Sequence, residues 1–265
     1  MKGVTVIKCG GSTMEQLPFP FFQTLANLQR DGKPIVIVHG GGPAINAMLQ
    51  KLNITPQFVD GLRITCEETM GVVEMVLGGT INKELVRRLT QAGAKAWGVS
   101  GIDGAMLTAK QTEKPLGLVG EIVQVDSSIP QSILASGYVP VIAPLAVTEN
   151  GKQPLNVNAD VAAGAIAAAL GADRLVMVTD VPGILKPGPD GQQTLVTETD
   201  SAQIKQWIDA GVIYGGMIPK VQSAMDALAQ GVQNVVICRG TADDLVSVCN
   251  GQPAGTTIRG GRDNP

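Results

Sequence analysis

At 265 residues, with 44% hydrophobic and 16% charged residues, the chain can bury a large core, as one α/β domain or two lobes, and is not disordered. Its net charge of −3 and lack of a basic block argue against nucleic acid as the main partner. The four cysteines (Cys9, Cys66, Cys238, Cys249) form no CxxC pair, which excludes a disulfide framework or zinc pattern and points to reduced thiols in the cytoplasm.

The first predicted strand, Val4–Ile7, starts close to Met1, so no signal peptide is expected. It runs into Lys8-Cys9-Gly10-Gly11. Glycines let a backbone approach an anion and expose its amides, and a lysine at the strand end adds charge. An ordinary β-turn is the alternative. A helix over Phe21–Gln29 leads to a strand over Pro34–Val38 and then to His39-Gly40-Gly41-Gly42-Pro43. Pro43 suits the first turn of a helix reaching Leu52, and the glycines leave amide donors free at its N-terminus. His39, the single histidine, reads as structural rather than catalytic. Gln57–Thr65 reads as a hairpin turning at Asp60-Gly61, with Arg63 either a bidentate carboxylate partner or a surface salt bridge. A long helical region over Glu67–Gln91 follows, with apolar residues on more than one face. Next come a strand over Ala96–Val99, short strands within Ala105–Val125, a helix over Ile129–Ala135 and a strand over Val139–Ile142. Thr148–Leu155 carries a hairpin signal at Glu149-Asn150-Gly151. These irregular segments predict a flap or a second small sheet.

Asn156-Val157-Asn158-Ala159-Asp160 opens an alanine-rich helix reaching Leu170, well short of a membrane span. Asn158 reads as its N-cap and Asp160 as a complement to its dipole. Both also suit a polar substrate or the positioning of lysines, beside tiny side chains that invite close packing. A strand over Leu175–Val178 then meets Thr179-Asp180-Val181-Pro182-Gly183, a plain turn or the wall of a nucleotide pocket. The Pro187–Gly191 loop is expected to be exposed and mobile. After a helix over Ser201–Ala210 comes Gly215-Gly216-Met217-Ile218-Pro219-Lys220, entering a helix over Pro219–Gln230. There the dipole disfavours Lys220, which suits a ligand-binding role; a solvated surface lysine is the alternative. The last predicted strand is Val235–Cys238. Strands alternating with helices predict a mostly parallel sheet covered on both faces, with ligands at the strands' carboxyl ends, where the glycines stand. Neither a Walker A pattern nor a clear GxGxxG fingerprint is present.

Taken in order, Lys8–Gly11, Gly40–Gly42, Gly61–Thr65, Asn156–Asp160, Thr179–Gly183 and Gly215–Lys220 resemble the amino acid kinase family over nearly the whole chain. Gly-Leu-Arg-Ile-Thr and Asn-Val-Asn-Ala-Asp resemble the branch that phosphorylates N-acetyl-L-glutamate in arginine biosynthesis. The resemblance implies a three-layer α/β/α sandwich around a mainly parallel sheet of about eight strands. It implies an N-terminal lobe (1–170) for the amino acid and dimerisation and a C-terminal lobe (171–265) for ATP. It implies Lys8 and Lys220 on the transferring phosphoryl group, with Asp160 holding both. Gly41, Gly42, Arg63, Asn156 and Asn158 would bind the amino acid. Gly10, Gly11, Thr179, Asp180, Gly183, Gly215 and Met217 would serve the nucleotide. ATP would come with Mg²⁺ held mainly by its phosphates, so no protein metal ligands are expected. Against arginine-inhibited members, this chain shows no preceding N-terminal helix and no acidic, aromatic segment in Val248–Ile258. A homodimer insensitive to arginine is therefore expected. The rivals are a same-fold kinase for another carboxylate, such as carrier-bound α-aminoadipate, a non-catalytic nucleotide sensor and a nicotinamide oxidoreductase.

Overall fold

The computed structural model describes residues 3–11, 14–188 and 192–260. In chain order the strands are β1 (Thr5–Cys9), β2 (Ile35–His39), β3 (Phe58–Val59), β4 (Leu62–Arg63), β5 (Ala96–Ser100), β6 (Leu107–Gln111), β7 (Gly120–Val125) and β8 (Val139–Ala143). They continue as β9 (Leu145–Val147), β10 (Pro154–Asn156), β11 (Arg174–Thr179), β12 (Leu185–Pro187), β13 (Gln193–Leu195), β14 (Glu198–Asp200), β15 (Asn234–Arg239) and β16 (Thr256–Arg259). The α-helices are α1 (Phe19–Arg30), α2 (Gly42–Lys51), α3 (Glu67–Glu74), α4 (Asn82–Gln91), α5 (Ser128–Ala135), α6 (Ala159–Ala169), α7 (Ser201–Asp209), α8 (Met217–Ala229) and α9 (Ala242–Cys249).

Eight strands form the central sheet in the order β14-β16-β15-β11-β1-β2-β8-β5. β1 pairs in parallel with β2 on one side and β11 on the other, so the first and second halves of the chain meet along it. The antiparallel β15–β16 pair is the exception among otherwise parallel neighbours. β1, β2 and β8 are buried along their whole length, which their Val- and Ile-rich runs require in a sheet covered on both faces. α1 packs with α4 and α9, and α6 packs with α8.

The expected second sheet exists: β10-β9-β6-β7 beside the main one. The β9–β10 hairpin turns through Glu149-Asn150-Gly151, as its sequence predicts. β3 and β4 pair across Asp60 and Gly61, with φ of 49° and 76°. Both residues have positive φ, the backbone that an Asp-Gly pair tolerates and that a two-residue hairpin needs.

Three differences from the sequence reading have physical causes. The Glu67–Gln91 region is α3 and α4 joined by a π-helical segment, Met75–Ile81. Gly78 and Gly79, poor formers of a tight α-turn, lie within it. α8 starts at Met217, two residues before the expected Pro219. β14, β16 and α9 lie outside the sequence expectation; the two strands are short and polar-containing, and their pairing comes from distant segments. Of the predicted Pro187–Gly191 loop, Pro189, Asp190 and Gly191 fall outside the described residues.

Candidate active site

The carboxyl ends of β1, β2 and β11 deliver their loops to one edge of the sheet. Gly11, after β1, lies against the loop after β2: a methyl group on it would sit 2.8 Å from the Gly41 nitrogen and 2.9 Å from that of Gly42. Only a glycine permits this approach of two backbones. α2 begins at Gly42 with no side-chain cap and Pro43 next, so its N-terminal amides are available to an anion.

A cavity of about 230 Å³ opens here. Lys8, Gly11, Gly41, Gly42 and Arg63 line it, joined by Asn156, Asn158 and Asp160. Lys8 Nζ stands 2.7 Å from Asp160 Oδ1, with both side chains largely buried. The contact is an ion pair; no hydrogen bond closes on that oxygen. Asp160 is placed by α6, whose N-cap Asn158 accepts from the backbone amides of Asp160 (2.8 Å) and Val161 (3.3 Å). Asn158 is thus the N-cap of α6 and also lines the cavity.

α6 also brings Lys220 near. Its small residues let α8 approach closely, and a methyl on Gly164 would stand 3.2 Å from the Ala227 methyl. Lys220 lies in the N-terminal part of α8, outside the cavity wall. Its ammonium pKa is lowered by burial first and by Lys8 second, while Asp160 and Asp180 raise it. The two lysines and Asp160 thus share one electrostatic neighbourhood.

Arg63 is held from several sides. Nη2 donates to Asn46 Oδ1 (2.6 Å) and to the Gly42 carbonyl (3.3 Å), and the guanidinium lies 4.8 Å from the Phe58 ring centre. Its Nη1 is buried and donates to nothing. Leaving such a donor unmet is costly, so an arginine in the cavity wall with an unmet donor suits a carboxylate ligand. Asn156 Nδ2 donates to the buried Thr65 Oγ1 (3.1 Å), tying β10 to the end of the hairpin.

The remaining nucleotide candidates lie beyond this cavity. Thr179 donates to Asp180 Oδ1 (2.9 Å) at the end of β11, and Gly215 and Met217 stand at the start of α8. Gly10 is buried, its amide directed to the Val178 carbonyl at 3.3 Å. Gly183 packs on Thr256, where a methyl would stand 2.5 Å from Oγ1. Asn46 and Asn82 escaped the sequence reading. Asn46 lies one turn beyond Gly42 on α2, a spacing that places it by the glycine loop. Asn82 sits inside an apparently continuous amphipathic helix, and no local signal distinguishes it. Among the described residues no three His, Cys, Asp or Glu side chains group to hold a metal ion, and no helix is long and apolar enough to cross a membrane.

The chain is 66% identical over 259 residues to the acetylglutamate kinase of Brevibacillus brevis, covering 98% of each. It is 46% identical over 260 residues to that of Geobacillus stearothermophilus, covering 98% of this chain and 97% of the relative. A protein of solved structure from Streptococcus mutans superposes with a TM-score of 0.85 at 33% identity, over 98% of this chain and all of that one. Residues 3–239 match the amino acid kinase family, and with the sheet, the glycine loops and these relatives in agreement, the chain belongs to that family.

Proposed function

We propose that this protein transfers the γ-phosphoryl group of ATP to the side-chain carboxylate of N-acetyl-L-glutamate, giving N-acetylglutamyl 5-phosphate and ADP in arginine biosynthesis. One observation carries the reading on the geometric side: a single cavity is lined both by a guanidinium with an unmet donor and by Lys8 beside two glycine loops. The first suits the α-carboxylate of an amino acid and the second a phosphoryl group in flight.

A glutamate side-chain carboxyl ordinarily titrates at about 4.3, so it is already anionic near pH 7 and no general base is needed. The barrier is repulsion between two anions, and catalysis is positioning with charge stabilisation. Lys8 and the Gly11, Gly41 and Gly42 amides neutralise the transferring group. Lys220 serves the leaving phosphate, and Asp160, whose Oδ1 accepts no hydrogen bond, holds both lysines. Arg63 binds the α-carboxylate, and Asn156 with the spare amide of Asn158 binds the acetylamido group. Thr179, Asp180, Gly10, Gly183, Gly215 and Met217 form the nucleotide side. The amino acid lobe is residues 1–170 and the nucleotide lobe 171–265.

Magnesium, carried by the phosphates, supplies further charge neutralisation when bound. The donor set fits that arrangement: the nearby carboxylates, Asp160 and Asp180, both act on Lys220 rather than grouping as a cage. The enzyme works in the cytoplasm as a homodimer that arginine does not inhibit. Exposed Met75 in the π segment and half-exposed Trp97 on edge strand β5 support a partner surface. Gel filtration of a hexamer, or inhibition by arginine, would overturn that part.

The deciding assay is ADP release with N-acetylglutamate beside glutamate, aspartate and N-acetylaspartate. Turnover confined largely to N-acetylglutamate is expected. Its absence with that substrate refutes the assignment and leaves the fold intact.

A further inference from the structure

His39 ends β2 immediately before the glycine loop, and none of its surface is exposed. Its Nδ1 lies 3.1 Å from the carbonyl oxygen of Gly40. A carbonyl only accepts, so Nδ1 carries the proton. On the other side of the ring, Nε2 lies 3.2 Å from Asn82 Nδ2. Asn82 is also fully buried, and its orientation follows from its neighbours. Lys83 Nζ, which only donates, stands 3.0 Å from Oδ1. The Val99 and Val141 carbonyls, which only accept, stand 3.1 and 2.9 Å from Nδ2. Nδ2 carries two protons for three acceptors, so one proton is shared; because Nδ2 only donates, the Nε2 that faces it is the acceptor, in accord with the tautomer set by the Gly40 carbonyl. Burial pushes the imidazole pKa down to about 4; the Gly40 carbonyl opposes this and the Lys83 cation adds to it. The ring is neutral at neutral pH, as the two opposite roles of its nitrogens require.

The consequence lies in the next peptide. The carbonyl of Gly40 and the amide of Gly41 belong to one planar trans unit and point in opposite directions. A carbonyl pinned on the His39 ring aims the Gly41 N–H away from it. Gly41 N is one of the atoms nearest the Cα face of Gly11, and both residues line the cavity that Lys8 enters. The loop is also braced from the π segment, because a methyl on Gly41 would collide with Ile81 Cδ1 and stand 2.6 Å from Leu77 Cδ2. Four elements (β2, β5, β8 and the start of α4) thus converge on the direction of one amide.

We infer that His39, held as its Nδ1–H tautomer by Asn82, is a positioning residue that aims the Gly41 amide at the transferring phosphoryl group. The inference rests on the kinase reading above. It also adds a role for a histidine that the chemistry does not need as a base.

The test compares His39→Leu, which keeps bulk without a donor, with His39→Asn, whose amide nitrogen lies near the position of Nδ1. Both are assayed with ATP and N-acetylglutamate beside a thermal melt. A mis-aimed donor costs less than a deleted one, which is worth ~10²–10³ in kcat, so the Leu variant should lose about 10-fold or more. KM for both substrates should stay within about twofold of wild type, since the amide acts on the transferring group, and the Asn variant should recover most of the loss. A folded Leu variant with wild-type kcat, or an Asn variant no better than Leu, overturns the inference. A second measurement depends on neither variant folding nor activity. Long-range ¹⁵N–¹H NMR of the untagged protein reads its single histidine. The expected result is a protonated Nδ1 and a bare Nε2 at pH 7; the opposite tautomer, or a charged ring, overturns it. Wild-type protein that shows this tautomer yet fails to phosphorylate N-acetylglutamate would refute the substrate assignment instead.

Discussion

Arg63→Lys separates substrate binding from chemistry more cleanly than any other change in the cavity. In the wild-type site Nη2 is committed to Asn46 and the Gly42 carbonyl, while the buried Nη1 has no partner; on the proposed function it serves the substrate's α-carboxylate. A lysine ammonium is a single point, and Asn46 Oδ1, now 2.6 Å from Nη2, is the nearest acceptor to capture it. The substrate's α-carboxylate then loses a charge-assisted hydrogen bond, worth about 1.5–3 kcal/mol. At about 1.4 kcal/mol per decade, KM for N-acetylglutamate rises roughly 10- to 150-fold. The α-carboxylate does not change during transfer, so it is bound equally in ground and transition states, and kcat should fall much less. KM for ATP should stay put. Steady-state ADP release with each substrate varied in turn supplies all three numbers. An unchanged KM for the amino acid removes Arg63 from the substrate site. A fall confined to kcat would instead place the residue on the phosphoryl group.

Lys8→Met removes the cation but keeps most of the side-chain volume, and turnover should drop ~10²-fold or more, by analogy with deletion of one oxyanion donor. Single-turnover kinetics with saturating ATP check this, and a variant within a few-fold of wild type would exclude Lys8 from the transferring phosphoryl group. Gly98→Ala should destabilise the fold by about 1–3 kcal/mol through overpacking, because the new methyl collides with Asn82 Oδ1 and stands 2.9 Å from both Lys83 Nζ and Val86 Cγ2; denaturant unfolding with unchanged stability would show that the buried amide network has room to move. Acid stability should carry a signature of His39. The unfolded chain binds its proton near 6.5, whereas the folded protein resists until about 4. Its contribution is therefore complete above pH 6.5 and is lost progressively as pH falls towards 4, a difference of about 3 kcal/mol in all. Chemical denaturation of wild type and His39→Asn from pH 7 to 4 should show a steeper loss in the wild type, and parallel curves would refute this.

Much of this site is legible locally because its parts obey short-range rules. Lys8-Cys9-Gly10-Gly11 and Gly40-Gly41-Gly42-Pro43 are strand ends and helix starts whose backbone demands only glycine and proline meet. Asp60-Gly61 carries the hairpin turn in two residues. Asn158 caps its helix through bonds to amides two and three positions on. Buried parallel strands announce themselves as unbroken Val and Ile runs.

What the linear chain withholds is everything set by the approach of distant segments. No window of residues shows that Lys8 would end 2.7 Å from Asp160, because that distance follows from α6 lying beside β1. Nor does any window show that Asn46 would occupy one arm of Arg63 and leave the other unmet, or that a polar residue inside a helical pattern would be wholly buried against His39. The short strand β16 is a strand because β15 offers it an edge, and β14 because β16 offers one in turn, while the helix over Glu67–Gln91 widens into a π segment whose side chains brace Gly41. The sequence alone determined the parallel core of the sheet, its glycine-rich loops and the residue types able to handle an anion. Tertiary packing alone decided which charges face one another and which donors are left unpaired, because those depend on distances between segments remote along the chain.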